Sequence, residues 1–377
     1  MTPMEIELRT LTPLWTGGVD QTCDRVHETG LIGSLRWWYE AILRGFDGWA
    51  CDPTEHGCPN KTGAVCAACR LFGTTGRSRQ FRLRVTGEQQ PSPEFREIRI
   101  DPRQKRGWRL GAGVLSDELT ITVLPMRPTD QHELNALAFL VYFVACWAAL
   151  GARTQMGYGV IGLDTIALAG KALSAQEITD SLSLIELAAR EHPAPGPVAE
   201  KLPDIRDFFF ARLNLTGTFD EKAVWWARQL AEKREYVEAK QQGFVPSAPA
   251  VRYEMRSWLR DPAFVPEARR LDDLRHDLMG TIRGSAGLEA PRGSKLFASH
   301  LYRAEDGWEF RVWGWVPNLS AYNVQRDILL QTIRQRLEGP QFARAVFGLN
   351  QPLQVEWHSF DREGAQSLAD YLRSLVY

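Results

Sequence analysis

Residues 28–44 read ETGLIGSLRWWYEAILR. Leu31, Leu35, Trp38, Ile42 and Leu43 recur at the spacing of one buried helix face. Glu40 and Arg44 fall four apart on the other side, next to Arg36. The stretch therefore predicts an amphipathic helix. Its first turn holds Gly30, Gly33 and Ser34, small residues that leave backbone N–H groups uncovered. Such a turn can receive a phosphate, because its N–H groups lack intrahelical partners and the positive dipole end lies there. Arg36, one turn in, would add a charge-assisted bond to the same anion. A core helix whose glycines permit close packing would have the same sequence, so this stretch alone leaves both readings open.

Before the helix, MEIELRTL (4–11) alternates polar and apolar residues in the manner of a half-buried strand. A Gly-, Thr- and Asp-rich loop, residues 12–30, joins the two. Strand, glycine-containing loop and helix in that order suit an α+β or α/β unit.

After the helix comes WACDPTEHGCPNKTGAVCAACRLFG (49–73), which holds four of the six cysteines: Cys51, Cys58, Cys66 and Cys69. A cluster ending in C-x-x-C, in a chain with no secretory signature, reads as a metal site before it reads as disulfides. The C-x-x-C step lets two thiolates reach one ion, and the first pair completes a tetrahedral shell. The expected cofactor is a structural zinc, with His56 as a substitute ligand. The loop is polar and short of core residues, so a metal would supply stability that its packing cannot. Four thiolates leave no open coordination position, which speaks against a catalytic zinc. A reduced metal-free loop or a redox C-x-x-C is the alternative.

Charge is uneven along the chain. The whole molecule carries a formal −1, yet residues 70–109 hold ten Arg and one Lys against four acidic residues. That balance marks a candidate polyanion surface, or else a solvated basic loop. Within it, Gly73 to Arg79 forms a glycine–threonine loop with Arg77 and Arg79, and Ser78–Thr86 alternates Arg with apolar residues as a strand would. LTITVLPMRP (119–128) predicts a strand, and Leu134–Leu150 a long apolar helix. GARTQMGYG (151–159) then places Arg153, Thr154, Gln155 and Tyr158 among glycines. Arg and Tyr there offer charge and a stacking face for single-stranded bases, though a tight helix-to-strand turn has the same composition.

With 377 residues, 44% of them apolar, the chain suits two globular domains. PAPGPVAEKLP (193–203) is a proline-rich boundary, so we expect domains at 1–199 and 200–377. The second half again begins with a strand (205–217) and a helical segment (224–239). It continues with a Gly-, Ser- and Arg-rich stretch (280–302) holding Arg283, Arg292 and Lys295. GWEFRVWGWVP (307–317) is a strand with Trp308, Trp313 and Trp315. A helix (322–337), a strand (354–357) and a closing helix (364–375) complete it. No apolar run reaches membrane-spanning length, and the N-terminus lacks a signal core, so the expected location is the cytoplasm with no membrane partner.

Taken together and in this order, ETGLIGSLRWWYE, the cysteine loop, CRLFGTTGRSRQFRL, LGARTQMGYGV and RGSKLFASHLYR resemble a known family. It is the first subunit of the RAMP module of type III-B CRISPR effector complexes, within the RAMP superfamily. The resemblance is strongest over residues 5–165 and 283–316. It implies an α+β fold of two tandem ferredoxin-like (RRM-like) domains, with the zinc loop around 51–69 inserted in the first. It also implies a non-catalytic RNA-binding subunit of an antiviral ribonucleoprotein, contacting guide RNA and target RNA near the guide's 3′ end. Other subunits of the complex would be its partners. The positions carried over to RNA contact are Arg25, Gly30, Gly33, Ser34 and Arg36, then Arg77 and Arg79. Arg153, Thr154, Gln155 and Tyr158 follow, and in the second half Arg283, Arg292 and Lys295. Phosphate contacts of this kind position a backbone without reading sequence.

Two rival functions remain legible. Asp20, Asp24 and His27 lie in the loop after the first strand, where a carboxylate and an imidazole could serve a metal-independent endoribonuclease. The same residues also suit ordinary loop geometry. The other rival is a zinc-containing protein–protein adaptor, against which the Arg-rich strand and the glycine–arginine loops speak.

Overall fold

A computed structural model describes residues 2–376 apart from 19, 21, 53–56, 129–130, 197–201, 216, 218 and 282–292, with backbone alone for 131–132. The expectations for His56, Arg283 and Arg292 lie outside the described residues.

The first half opens with β1 (Met4–Thr10), whose residues are alternately buried and exposed. Helix α1 (Glu28–Gly45) follows, and α2 (Ala67–Phe72) closes the cysteine loop. Then come β2 (Phe81–Gly87) and a hairpin of β3 (Phe95–Ile98) with β4 (Trp108–Leu110). Strand β5 (Leu119–Pro125), helix α3 (Ala136–Trp147) and β6 (Ile161–Leu168) complete the unit. The sheet order is β2-β5-β1-β6, all antiparallel, with a two-residue strand, Lys171–Ala172, at the β6 edge.

The second half begins with β7 (Phe208–Asn214), then α4 (Ala248–Trp258) and α5 (Leu271–Met279). Short β8 (Leu296–Ala298) and β9 (Leu301–Ala304) precede the long β10 (Gly307–Trp315). Helix α6 (Arg326–Glu338), β11 (Gln354–Ser359) and α7 (Leu368–Ser374) end the chain. Its sheet runs β9-β10-β7-β11, with β8 pairing β10 and Phe244–Val245 pairing β9. In both halves the principal strands thus lie in the order second, third, first, fourth. Pro249 occupies the first turn of α4, where its missing N–H costs nothing.

The layers explain the sequence patterns. The first sheet turns Met4, Ile6, Leu8, Phe81 and Leu83 onto α1 and α3, and turns Glu5, Glu7, Arg82 and Arg84 to solvent. Helix α3, ALAFLVYFVACW, is apolar on every side because it is covered on every side. Phe143 packs edge-on against Phe210 of β7, with ring centroids 5.3 Å apart. Strand β7 distributes its own run FFFARLN between two cores. Phe208 and Phe210 join the first core, whereas Phe209 stacks on Trp357 at 4.7 Å in the second. The second sheet is therefore buried on both faces, and the chain forms four layers: sheet, helices, sheet, helices.

The halves also exchange elements. Hairpin β3–β4 sends Phe95, Ile98 and Leu110 into the second core. In return α7 packs Tyr371 and Leu372 onto the first, and the Trp147 indole N–H donates to the Leu375 carbonyl. No helix among the described residues is long and apolar enough to cross a membrane.

Candidate nucleic-acid cleft and metal centre

A cleft of about 950 Å³ opens between the halves. One wall is the start of α1, with Gly30, Gly33, Ser34 and Trp37, and another is the turn after α3, with Gly151 to Gln155. The far wall comes from the second half: Asp277 of α5, Ser294 and Lys295, Phe297 of β8, and Trp313 and Trp315 of β10. Trp313 and Trp315 share one face because side chains alternate along a strand. Phe297 stacks on Trp313 with centroids 5.5 Å apart and planes 11° apart.

Seven positions expected to touch RNA thus meet here: Gly30, Gly33, Ser34, Arg153, Thr154, Gln155 and Lys295. They do so in different ways. A Cβ on Gly30 would lie 2.6 Å from Thr16 Cβ and 2.7 Å from its carbonyl oxygen, so this glycine serves close packing. Gly33 faces open space. Arg153 sits in the left-handed region (φ 56°) and its guanidinium lies 3.9 Å over the Trp15 ring. A non-glycine residue with positive φ carries backbone strain, which persists only where its surroundings hold it. Both halves hold this turn: the Ala152 N–H donates to the Trp15 carbonyl at 2.7 Å, and the His300 N–H to the Gly157 carbonyl at 3.1 Å. Lys295 is ion-paired to Asp277 at 2.6 Å, with its Nζ 5.3 Å from the Trp315 ring, so much of its charge is already answered.

The other expected contacts lie elsewhere. Tyr158 is 1% exposed and its hydroxyl donates to the Gly111 carbonyl at 2.6 Å; burial pushes its pKa up. It is a core residue, not a stacking platform. Arg25 pairs with Glu28 at 3.0 Å. Arg79 is bonded to the Phe81 carbonyl, and Arg77 is exposed beside the cysteine loop, its N–H donating to the Thr74 carbonyl. None of these four lines the cleft. The open face of the first sheet carries Glu5, Glu7, Arg82, Arg84, Thr120 and Thr122 and no aromatic ring, so it lacks the stacking platform of an RRM-type sheet.

Arg36 is the main correction. It points away from the cleft, donating to Glu40 Oε1 at 2.8 Å, to the Gly73 carbonyl at 3.0 Å and to Cys69 Sγ at 3.1 Å. It is therefore an outer partner of the cysteine cluster. All four cysteines are buried, and their sulfurs lie within 4.8 Å of one another, with Cys51 and Cys69 at 3.5 Å. Tetrahedral zinc with bonds of about 2.3 Å would hold its sulfurs about 3.8 Å apart. The set fits that ion. Backbone N–H groups of Cys66 and Cys69 point at Cys58 and Cys66 sulfurs, at 3.5 and 3.4 Å. The Cys69 thiol is held well below its usual pKa, by hydrogen bonds from Cys51 and Cys66 and then by Arg36. Bound zinc would cross-link the 51–73 loop.

The acidic loop forms a smaller constellation. His27 and Asp24 are 2.8 Å apart, and His27 holds the Asp24 carboxyl below the usual range. Asp20 accepts from the Thr22 N–H and hydroxyl, an Asx turn that lowers its pKa likewise. Neither aspartate lines the cleft.

Residues 7–161 match the family model of the RAMP superfamily. Over that span the chain is similar to the RAMP superfamily. The matched region holds α1, all four cysteines and the Arg153 turn, so it supplies two walls of the cleft and the whole cysteine cluster. No curated protein matches the chain. Among solved structures it is similar to Cmr1 from Pyrococcus furiosus in its apo form, at 13% identity and a TM-score of 0.45, covering 94% of this chain and 98% of that one. It is also similar to a chain of the type III-B Cmr-beta complex bound to cognate target RNA, at 11% identity and a TM-score of 0.40, covering 88% and 99%.

Trp313 and Trp315 were read as strand residues, but their place in the far wall was not. Their signal was present in the period-two spacing of Trp313 and Trp315, but nothing local says which sheet face meets the first half.

Proposed function

We propose that the chain is a non-catalytic RNA-binding subunit of a type III-B CRISPR ribonucleoprotein. In this reading it consists of two ferredoxin-like domains, residues 1–199 and 200–377, with one structural zinc. Guide RNA, target RNA and the other subunits are its partners, and the cytoplasm is its location. The RAMP match, the motif order in the sequence and the shared strand order of the two halves support it.

The observation that carries the reading is the cleft itself. Ser34, Arg153 and Thr154 offer donors to phosphate, while the half-buried Trp37 offers aromatic surface and the buried Trp313 and Trp315 back the far wall. Cation plus aromatic surface is the combination that holds single-stranded RNA without choosing its bases. Sequence choice would come from guide–target pairing, as in other guide-directed systems.

The test is RNA binding by the purified chain across a salt series. Arg153→Ala should weaken binding about tenfold and reduce the slope of log K against log salt by about 0.7, the value for one single-strand phosphate. RNA should stay intact throughout. Cleavage abolished by Asp24→Ala or His27→Ala would make the chain a ribonuclease, a reading their 2.8 Å contact favours. Absence of any salt-sensitive RNA binding would favour the adaptor.

A further inference from the structure

The basic segment noted in the sequence lies largely outside the cleft, and its densest part is the β3–β4 hairpin. Residues 95–110 carry six basic side chains against two acidic ones. Two of the six are answered locally: Arg99 pairs with Glu97 at 3.0 Å, and Arg103 with Asp101 at 2.5 Å. Arg96, Lys105, Arg106 and Arg109 are all exposed. None of them has a carboxylate within ion-pair distance among the described residues.

The hairpin is not a loose basic loop. Its apolar side, Phe95, Ile98 and Leu110, is buried in the second core at 2%, 0% and 2% exposure. Its tip is tied down as well: Gln229 donates to the Arg99 carbonyl, and the Tyr253 hydroxyl to Asp101 at 3.2 Å. The four free cations are thus displayed on a fixed scaffold. That scaffold leads to the cleft. Strand β4 ends beside Gly111, where a Cβ would stand 3.4 Å from the Arg153 guanidinium. Arg109 therefore stands two residues along the chain from the position that abuts Arg153 of the cleft wall.

We propose that the β3–β4 hairpin is a second RNA surface, taking the phosphate backbone of the strand as it leaves the cleft. The proposal rests on the RNA-binding reading of the cleft and extends it by naming the path of the strand. A fixed row of unpaired cations favours a regularly charged polyanion. An acidic protein segment is the competing occupant.

The experiment compares RNAs of about 5 and about 20 nucleotides, one confined to the cleft and one long enough to reach beyond it. Binding is measured across salt for wild type, for R96A/K105A/R106A/R109A and for R153A. All four hairpin changes are at exposed positions, and circular dichroism and thermal unfolding check that the fold survives. For wild type the long RNA should show a steeper salt slope than the short one, by about 3, from four contacts at about 0.7 each. The quadruple variant should lose that difference while binding the short RNA unchanged. Equal slopes for the two RNAs in wild type would overturn the proposal, as would a quadruple variant that keeps the difference. Failure of the cleft reading looks different: R153A would leave the short RNA unaffected.

Discussion

Arg36 donates a hydrogen bond to Cys69 Sγ across 3.1 Å, joining helix α1 to the cysteine cluster. The same guanidinium is held by Glu40, which Arg44 also reaches at 3.4 Å. The helix that lines the cleft and the loop that would hold zinc therefore share one buried charge network.

Replacing Cys66 and Cys69 with serine should abolish metal binding and lower the unfolding temperature, since much of the energy of such a loop comes from its ion. Elemental analysis should find about one zinc per wild-type chain and none in the variant. Unchanged metal content would refute the zinc assignment.

Arg36→Ala should cost about 2–3 kcal/mol of stability, because it leaves Glu40 and a thiolate short of a buried donor. Arg36→Lys should recover only part of this, since one ammonium cannot reproduce the three directed bonds to Glu40, Gly73 and Cys69. Denaturant unfolding measures both. If Arg36 served RNA alone, stability would not change.

Arg311 of β10 donates to the Ala148 carbonyl at 3.0 Å and so caps the last turn of α3. Its Nε also reaches the Tyr302 hydroxyl, which in turn bonds Glu309. Arg311→Ala should destabilise the protein by about 3–5 kcal/mol, the scale for breaking a buried charge network from one side. A loss under about 1 kcal/mol, the range of exposed pairs, would show the network to be dispensable.

Acid sensitivity should trace partly to His300. It is fully buried, its pKa is lowered to about 3 by that burial, and its Nδ1 accepts from the Ala248 N–H. The unfolded imidazole titrates near 6.5, so the folded value is the lower one. Its contribution to stability is complete above about 6.5 and is lost as pH falls from there toward 3. His300→Asn keeps a short-chain acceptor without the charge. Its unfolding temperature should fall less steeply than wild type between pH 6.5 and pH 4, within that same window. Parallel curves would refute the assignment.

Gly157→Ala tests the turn that presents Arg153. The glycine has φ +102°, and a Cβ there would stand 2.5 Å from His300 Nδ1 and 2.6 Å from Ala248 Cβ. Strain and overlap together should cost about 2–3 kcal/mol. RNA affinity should fall as well, because the turn must shift. An alanine variant with wild-type stability and affinity would show that this contact does not fix the turn.

How far the sequence could be read follows from the range over which each signal acts. Helix α1 and strand β1 were legible because their periods are local. The cysteine cluster was legible because its spacing carries the chemistry. Gly30, Gly33 and Ser34 were read as an uncovered first helical turn and Arg153 as part of a glycine-rich turn, and both stretches line the cleft. Arg36 was assigned to the wrong neighbour: periodicity gives the face of a helix but not what packs on it. Tyr158 misled for a related reason. Flanked by glycines it looks like an exposed loop aromatic, yet those glycines let the chain press Tyr158 into the seam between the halves, beside His300 at 5.7 Å.

The exchange of hairpin β3–β4 for helix α7 has a consequence for synthesis. A chain emerging N-terminus first must wait for residue 208 before α3 acquires its second neighbour, and for residues 368–374 before Trp147 finds its acceptor. Until then α3, apolar on every side, is covered on one side only. The first half is thus incomplete until α7, made long after the helix it covers, closes over it.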